Sequence, residues 1–130
     1  MTSLAYNKHK GARFETRAAE RLAQLTGLPV ERRHLNGVHD RGDLAGVTLR
    51  GHRIVVECKN TAGMNNIPQF LREAAREAVN DGALVGVVVK KRDRISIETD
   101  AGMDAQYVVM TFVDFATIIA AANGRDTENA

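Results

Sequence analysis

Residues 57–59, Glu-Cys-Lys, close an apolar run that begins at Ile54. A carboxylate and an ammonium at the end of such a strand are costly to bury unless paired, hydrogen-bonded or bound to a metal. Strand alternation puts Val55, Glu57 and Lys59 on one face and Ile54, Val56 and Cys58 on the other. The two charges therefore point the same way. Leu44 to Leu49 and Arg53 to Lys59 read as the strands of a hairpin joined through Arg50-Gly51-His52. That three-residue connection pairs Leu49 with Arg53 and, by continuation, Ala45 with Glu57 and Asp43 with Lys59, so Asp43 joins the charged face. A two-residue connection turns Asp43 away, so convergence depends on the odd loop or on a bulge. Two carboxylates with an ammonium beside them form a hard oxygen site for Mg²⁺ or Mn²⁺, which suits phosphodiester hydrolysis.

Glu-x-Lys alone occurs by chance in roughly half of chains this long. The set says more: Asp43 opens one strand, Glu57 and Lys59 close its partner, and Glu15 lies on a basic helix upstream. The competing structural reading is an ion pair at a strand end with a solvated Asp43. Cys58 faces the other way and reads as small core filler. Arg41-Gly42-Asp43 spells an integrin-binding tripeptide, which we read as coincidence because nothing in the chain suggests secretion. His34, His39 and Asp40 could be imagined as zinc ligands or as a His-based centre, but no second Cys/His pair follows. The simpler role for this stretch is a polar loop that offers Arg32, Arg33, His34 and Arg41 to phosphates without reading bases.

The elements that must position these residues follow from periodicity and punctuation. Phe14, Ala18, Leu22 and Leu25 recur at helical spacing from about Gly11 to Thr26, where Gly27 and Pro29 stop the pattern. Val30 to Leu35 reads as a short strand. Pro68 opens a helix running to about Asn80, closed by Asp81-Gly82. Ala83 to Val89 is a continuous apolar run, as expected of a central strand buried on both faces. Arg94 to Glu98 and Gln106 to Met110 read as further strands, and Val113 to Ala122 as a closing helix, with residues 1–10 and 124–130 as frayed ends. The order αβββαβ, with peripheral additions, predicts an α/β domain with a central mixed β-sheet flanked by helices.

Composition bounds the function. At 130 residues the chain fits a single domain, 1–130, with enough core to fold without disulfides or a structural metal. The lone Cys58 excludes an internal disulfide framework, and no apolar run approaches the roughly 20 residues of a membrane span. A cytoplasmic protein is expected. The net charge is +2, but residues 1–59 hold 11 Lys/Arg against 6 Asp/Glu, while 60–130 hold 7 against 10. The first half is the one suited to phosphates.

Four stretches, "HKGARFE", "ERRHLNG", "GDLAG" and "VVECKN", together resemble the PD-(D/E)XK nuclease superfamily, and within it the archaeal and phage Holliday-junction resolvases. The likeness spans about residues 8–80. One departure is visible, Gly42 in place of the proline that names the superfamily. The resemblance implies a restriction-endonuclease-like fold and a Mg²⁺-dependent endonuclease, with Mn²⁺ as a substitute and no nucleotide cofactor. Asp43, Glu57 and the Cys58 backbone carbonyl would hold the metal, Glu15 would reach it directly or through water, and Lys59 would orient the attacking water or stabilise charge on the phosphate. Lys8, Lys10, Arg13, Arg32, Arg33 and Arg41 would bind DNA. Gln69 matches a glutamine found in relatives, although a solvated helix residue accounts for it equally well. The implied substrate is branched DNA, a four-way junction cut by a homodimer in the cytoplasm, or in the host cytoplasm if a phage encodes the chain. Two alternatives stay open: the same chemistry on flaps, ends or duplex, and a catalytically idle DNA-binding domain.

Overall fold

The computed structural model describes residues 4–33 and 42–125, so the expected roles of His34, His39, Asp40 and Arg41 lie outside the described residues. The first helix, α1 (Leu4–Thr26), buries Phe14, Ala18 and Ala19. It starts well before Gly11, so residues 4–10 belong to it instead of fraying; one glycine inside a helix costs about 1 kcal/mol against alanine and does not end it. Two short strands follow, β1 (Glu31–Arg32) and β2 (Leu44–Ala45), paired antiparallel.

The predicted strand over 44–49 is broken in two. Gly46 has φ +86°, and a Cβ there would lie 2.3 Å from the carbonyl oxygen of Pro29. Only glycine combines that backbone with that contact. The chain resumes as β3 (Thr48–Leu49) and turns into β4 (His52–Lys59). The turn has two residues, not three: Leu49 pairs with His52, and Arg50 and Gly51 have φ of 48° and 86°. Two positive φ values in succession make a turn whose twist matches that of the strands.

The helix α2 (Ile67–Asp81) has Pro68 in its first turn and ends on Gly82 in the left-handed region. β5 (Val85–Lys90) runs parallel to β4. Residues 94–98 form no strand. Arg94 has φ 63°, and the carbonyls of Ile95 and Ile97 accept from the side chains of Gln106 and Arg17 instead of a neighbouring strand. A short helix, α3 (Asp100–Asp104), leads to β6 (Tyr107–Val109), antiparallel to β5, and to α4 (Phe112–Ala122).

The result is an α/β fold with a mixed four-stranded sheet in the order β3-β4-β5-β6, flanked by helices. Phe14 and Ala18 of α1 share one core with Val56, Cys58, Val85 and Val87, while Phe70 and Ala74 of α2 pack with Val88 on the other side. Burial on both faces explains the unbroken apolar run of β5. No described helix is long and apolar enough to cross a membrane.

Candidate active site

The charged end of β4 faces α2. Lys59 Nζ lies 3.9 Å from Glu57 Oε1, 3.0 Å from Glu73 Oε1 and 4.9 Å from the centroid of the Phe70 ring. Glu57 is buried and Lys59 half-buried. The shared face read from alternation is the one observed.

The two-residue turn sets the register that turns Asp43 away from the face of Glu57 and Lys59, and the expected pairing of Asp43 with Lys59 does not form. Ile54 N–H donates to the Val47 carbonyl at 2.9 Å, in register with the turn, but Asp43 N–H donates to the Val56 carbonyl at 2.8 Å. In the unbroken register Ala45 would stand opposite Val56. The shift of two residues is taken up around Gly46 and, being even, leaves Asp43 opposite Val56, so that its carboxylate reaches the end of β4 along the strand edge. It places the Asp43 carboxylate against the β4 backbone, where Oδ2 accepts from Cys58 N–H at 2.7 Å. Asp43 is thus fastened to the residue between Glu57 and Lys59, and its own carbonyl accepts from Arg33 N–H at 2.7 Å.

The field is negative apart from Lys59. Burial pushes the Cys58 thiol well above its usual range, and the charges of Asp43, Glu15 and Glu57 push it further. Such a thiol is inert as a nucleophile. Burial by itself lowers Lys59, but the hydrogen bond to Glu73 and the charges of Glu57, Glu73 and Asp43 outweigh it, leaving Lys59 raised. Lys59 is therefore an ammonium at neutral pH, able to donate hydrogen bonds and stabilise anions but not to accept a proton.

Glu15 projects from α1 and accepts from Arg32 Nε at 2.8 Å, which joins an expected catalytic residue to an expected phosphate contact. Lys8 and Lys10 are exposed, and the Lys10 carbonyl accepts from Asn60 Nδ2 at 3.4 Å, so this turn of α1 stands beside the end of β4. Arg13 pairs with Glu98 through two hydrogen bonds, and Arg17 and Arg21 of the same helix pair with Asp100 and Asp104. The outer basic stripe of α1 is thus engaged by acidic residues of the chain itself. Gln69 donates to Glu73 at 3.3 Å.

Two residues of this region escaped the sequence reading. Glu73, the partner of Lys59, sits next to Ala74 in the core stripe of α2, a placement that only the packing of α2 on β4 reveals. Lys90, buried at the end of β5, donates to the carbonyls of Thr61 and Lys91 and so ties down the loop that leaves the site. Burial pushes its pKa down. The visible signal was a lysine closing an apolar strand, in parallel register with Lys59.

Lys59 holds Glu73 below the usual carboxylate range. A depressed carboxylate stabilises the fold above its unfolded pKa, near 4.5, and that contribution is lost as pH falls through the lower folded value. Glu73→Gln should therefore cost about 0.5–1 kcal/mol at pH 7 and almost nothing in acid, once Glu73 is protonated in the folded chain as well. Urea melts at pH 7 and in acid check this. Equal costs at the two would remove the charge pair as the cause.

Among the described residues no three His, Cys, Asp or Glu side chains converge as a metal cage. The donors at hand are two carboxylates and a backbone carbonyl, all hard oxygens. They fit Mg²⁺, which is usually bound through one or two carboxylates and keeps several waters. Comparison with models of known protein families, with characterised proteins and with solved structures finds no match.

Proposed function

We propose that the chain is a Mg²⁺-dependent endonuclease of PD-(D/E)XK type, with the restriction-endonuclease-like arrangement of its core, acting on four-way DNA junctions. The observation that carries this reading is the seat of Asp43 on the Cys58 backbone, between Glu57 and Lys59. A stabilising ion pair has no need of a bulge that delivers a further carboxylate to the same strand end. Asp43, Glu57 and the Cys58 carbonyl would hold the metal, which would polarise the phosphate and supply hydroxide near neutral pH. Lys59, kept charged by Glu73, orients the attacking water and offsets charge growing on the phosphate oxygens. Glu15 approaches from α1, held by Arg32. Lys8, Lys10, Arg32 and Arg33 supply phosphate contacts, with Arg41 beside them in sequence.

Nothing in the chain resembles a base-reading module, so recognition rests on DNA shape. A four-way junction has two-fold symmetry, which a two-fold dimer matches with one site for each cut strand. The test is a Mg²⁺ digestion panel of junction, flap, linear duplex and single strand, each arm labelled separately. Paired symmetric incisions in the junction, in preference to duplex of equal length, are expected. Equal cutting of duplex, or progressive shortening from ends, would transfer the same site to the alternative substrates.

A further inference from the structure

We infer that Tyr107, backed by Arg92, is a stacking shelf for one unpaired base of a bound strand; that the strand is DNA rests on the nuclease reading. Residues that pair across a sheet share a face. Lys59 pairs with Lys90, and Lys90 with Tyr107, so the three stand in one row across β4, β5 and β6, on the side covered by α2. Two strand spacings put Tyr107 about 10 Å from Lys59 across the sheet. That span is about three nucleotides of stacked strand at roughly 3.4 Å each, and fewer where the strand is drawn out.

A pocket of about 210 Å³ opens at this place, lined by Gly63, Met64, Lys91, Arg92, Asp93 and Tyr107. The guanidinium of Arg92 lies 4.6 Å from the centroid of the Tyr107 ring. It is fixed there, because Arg92 N–H donates to Gln106 Oε1 at 2.6 Å and its Nη1 to the Ala105 carbonyl at 3.3 Å. With one face so occupied, Tyr107 is still 45% exposed. The neighbouring loop is held in turn, since Gly63 N–H donates to both carboxylate oxygens of Asp93 at 3.3 Å, next to the half-exposed Met64. The buried Lys90 donates to the carbonyls of Thr61 and Lys91, so one ammonium fastens the loop to the end of β5. A site formed in advance loses little freedom on binding.

The lining selects the ligand. An exposed ring backed by a guanidinium, with a thioether beside it, suits a flat ligand that carries a π-face. The volume is below the roughly 300–1,000 Å³ of sites that enclose a drug-sized molecule, so the pocket takes one ring system of something larger. Lys91 and Arg92 outnumber Asp93, which leaves a positive balance suited to a polyanion. A base on a phosphate backbone meets all three conditions. Stacking of this kind tolerates any sequence, because every base has a π-face, and so agrees with recognition by shape. Duplex bases are already stacked on one another. The shelf therefore favours strands whose pairing is interrupted within a few nucleotides of the cut, as at a branch point.

Tyrosine emission tests this directly. The chain has no Trp and two Tyr, Tyr6 and Tyr107, so in Tyr6→Phe the emission comes from Tyr107 alone. A single strand of about 12 deoxycytidines, added in Ca²⁺ so that it is not cut, should quench that emission. By anisotropy of the labelled strand, Tyr107→Ala should weaken binding about 5- to 150-fold and Tyr107→Phe should bind as wild type does. Because no phosphate contact is removed, the slope of log affinity against log salt should be the same in all three. Unchanged emission at saturation, wild-type affinity in Tyr107→Ala, a loss in Tyr107→Phe as large as in Tyr107→Ala, or a shallower salt slope would overturn the inference. So would deoxycytidine monophosphate binding as tightly as the strand. Cleavage in Mg²⁺ is scored separately. A chain that is quenched but does not cut keeps the shelf and loses the nuclease reading, whereas one that cuts without quenching keeps that reading and loses the shelf.

Discussion

Glu57→Gln, Asp43→Asn and Lys59→Ala should each reduce DNA cleavage by about 100-fold or more while the chain stays folded and still binds DNA. The two amides keep the shape of the acids and remove the charge that would bind a cation. Lys59→Ala removes the ammonium that faces the phosphate. Stability distinguishes this from the competing reading, an ion pair that merely closes a strand. If Glu57 serves only to pair with Lys59, its amide should unfold more easily and cleavage should be irrelevant. If it is a site residue, a buried carboxylate is kept at a cost to the fold, and its neutralisation should leave stability unchanged or raised. Lys59 keeps Glu73 at 3.0 Å in that variant, so no cation is left uncompensated. Denaturant melts alongside single-turnover cleavage read out both quantities. Wild-type cleavage by Glu57→Gln would sink the assignment.

Gly42→Pro should be the most damaging substitution to the fold near this site, although proline stands at this place in the signature of the superfamily proposed for the chain. Gly42 has φ +91°, and a Cβ would lie 2.9 Å from Val55 Cγ1 and 3.1 Å from the Val56 carbonyl oxygen. Proline is locked near −65° and cannot follow the chain through this point. The expected loss is about 3 kcal/mol or more, with Gly42→Ala smaller but still adverse because φ stays positive. The damage falls on function as well, since the next residue is Asp43, whose N–H and carboxylate both bond β4. Chemical denaturation of the two variants checks the order. A proline variant with the wild-type midpoint would contradict the conformation described for this turn.

The departure at Gly42 also shows where sequence reading reached its limit. Alternation placed Glu57 and Lys59 on one face because strand geometry leaves no other choice once β4 is recognised. Pro68 and Gly82 bounded α2 for equally local reasons, and the unbroken run of β5 announced a strand covered on both sides. The hairpin turn is one residue shorter than the sequence predicts because Arg50 gives no sign that it adopts positive φ, which few residues other than Gly and Asn do. The break at Gly46 is set by the approach of Pro29, a contact between distant segments. Ile95 and Ile97 alternate as a strand would, yet Arg17 and Gln106 take up their carbonyls, and no local pattern reports that. Glu73 was invisible for the same reason, since its role follows from which side of α2 rests on β4.

Metal-dependent cleavage by the purified wild-type chain tests the central claim most directly. A four-way junction labelled on one strand should be cut at a defined position in Mg²⁺ or Mn²⁺, remain uncut in excess chelator, and be bound with little cutting in Ca²⁺. Cleavage that persists in chelator, or an intact junction at every Mg²⁺ concentration despite tight binding, would contradict the assignment of Asp43, Glu57 and Lys59 as a catalytic centre.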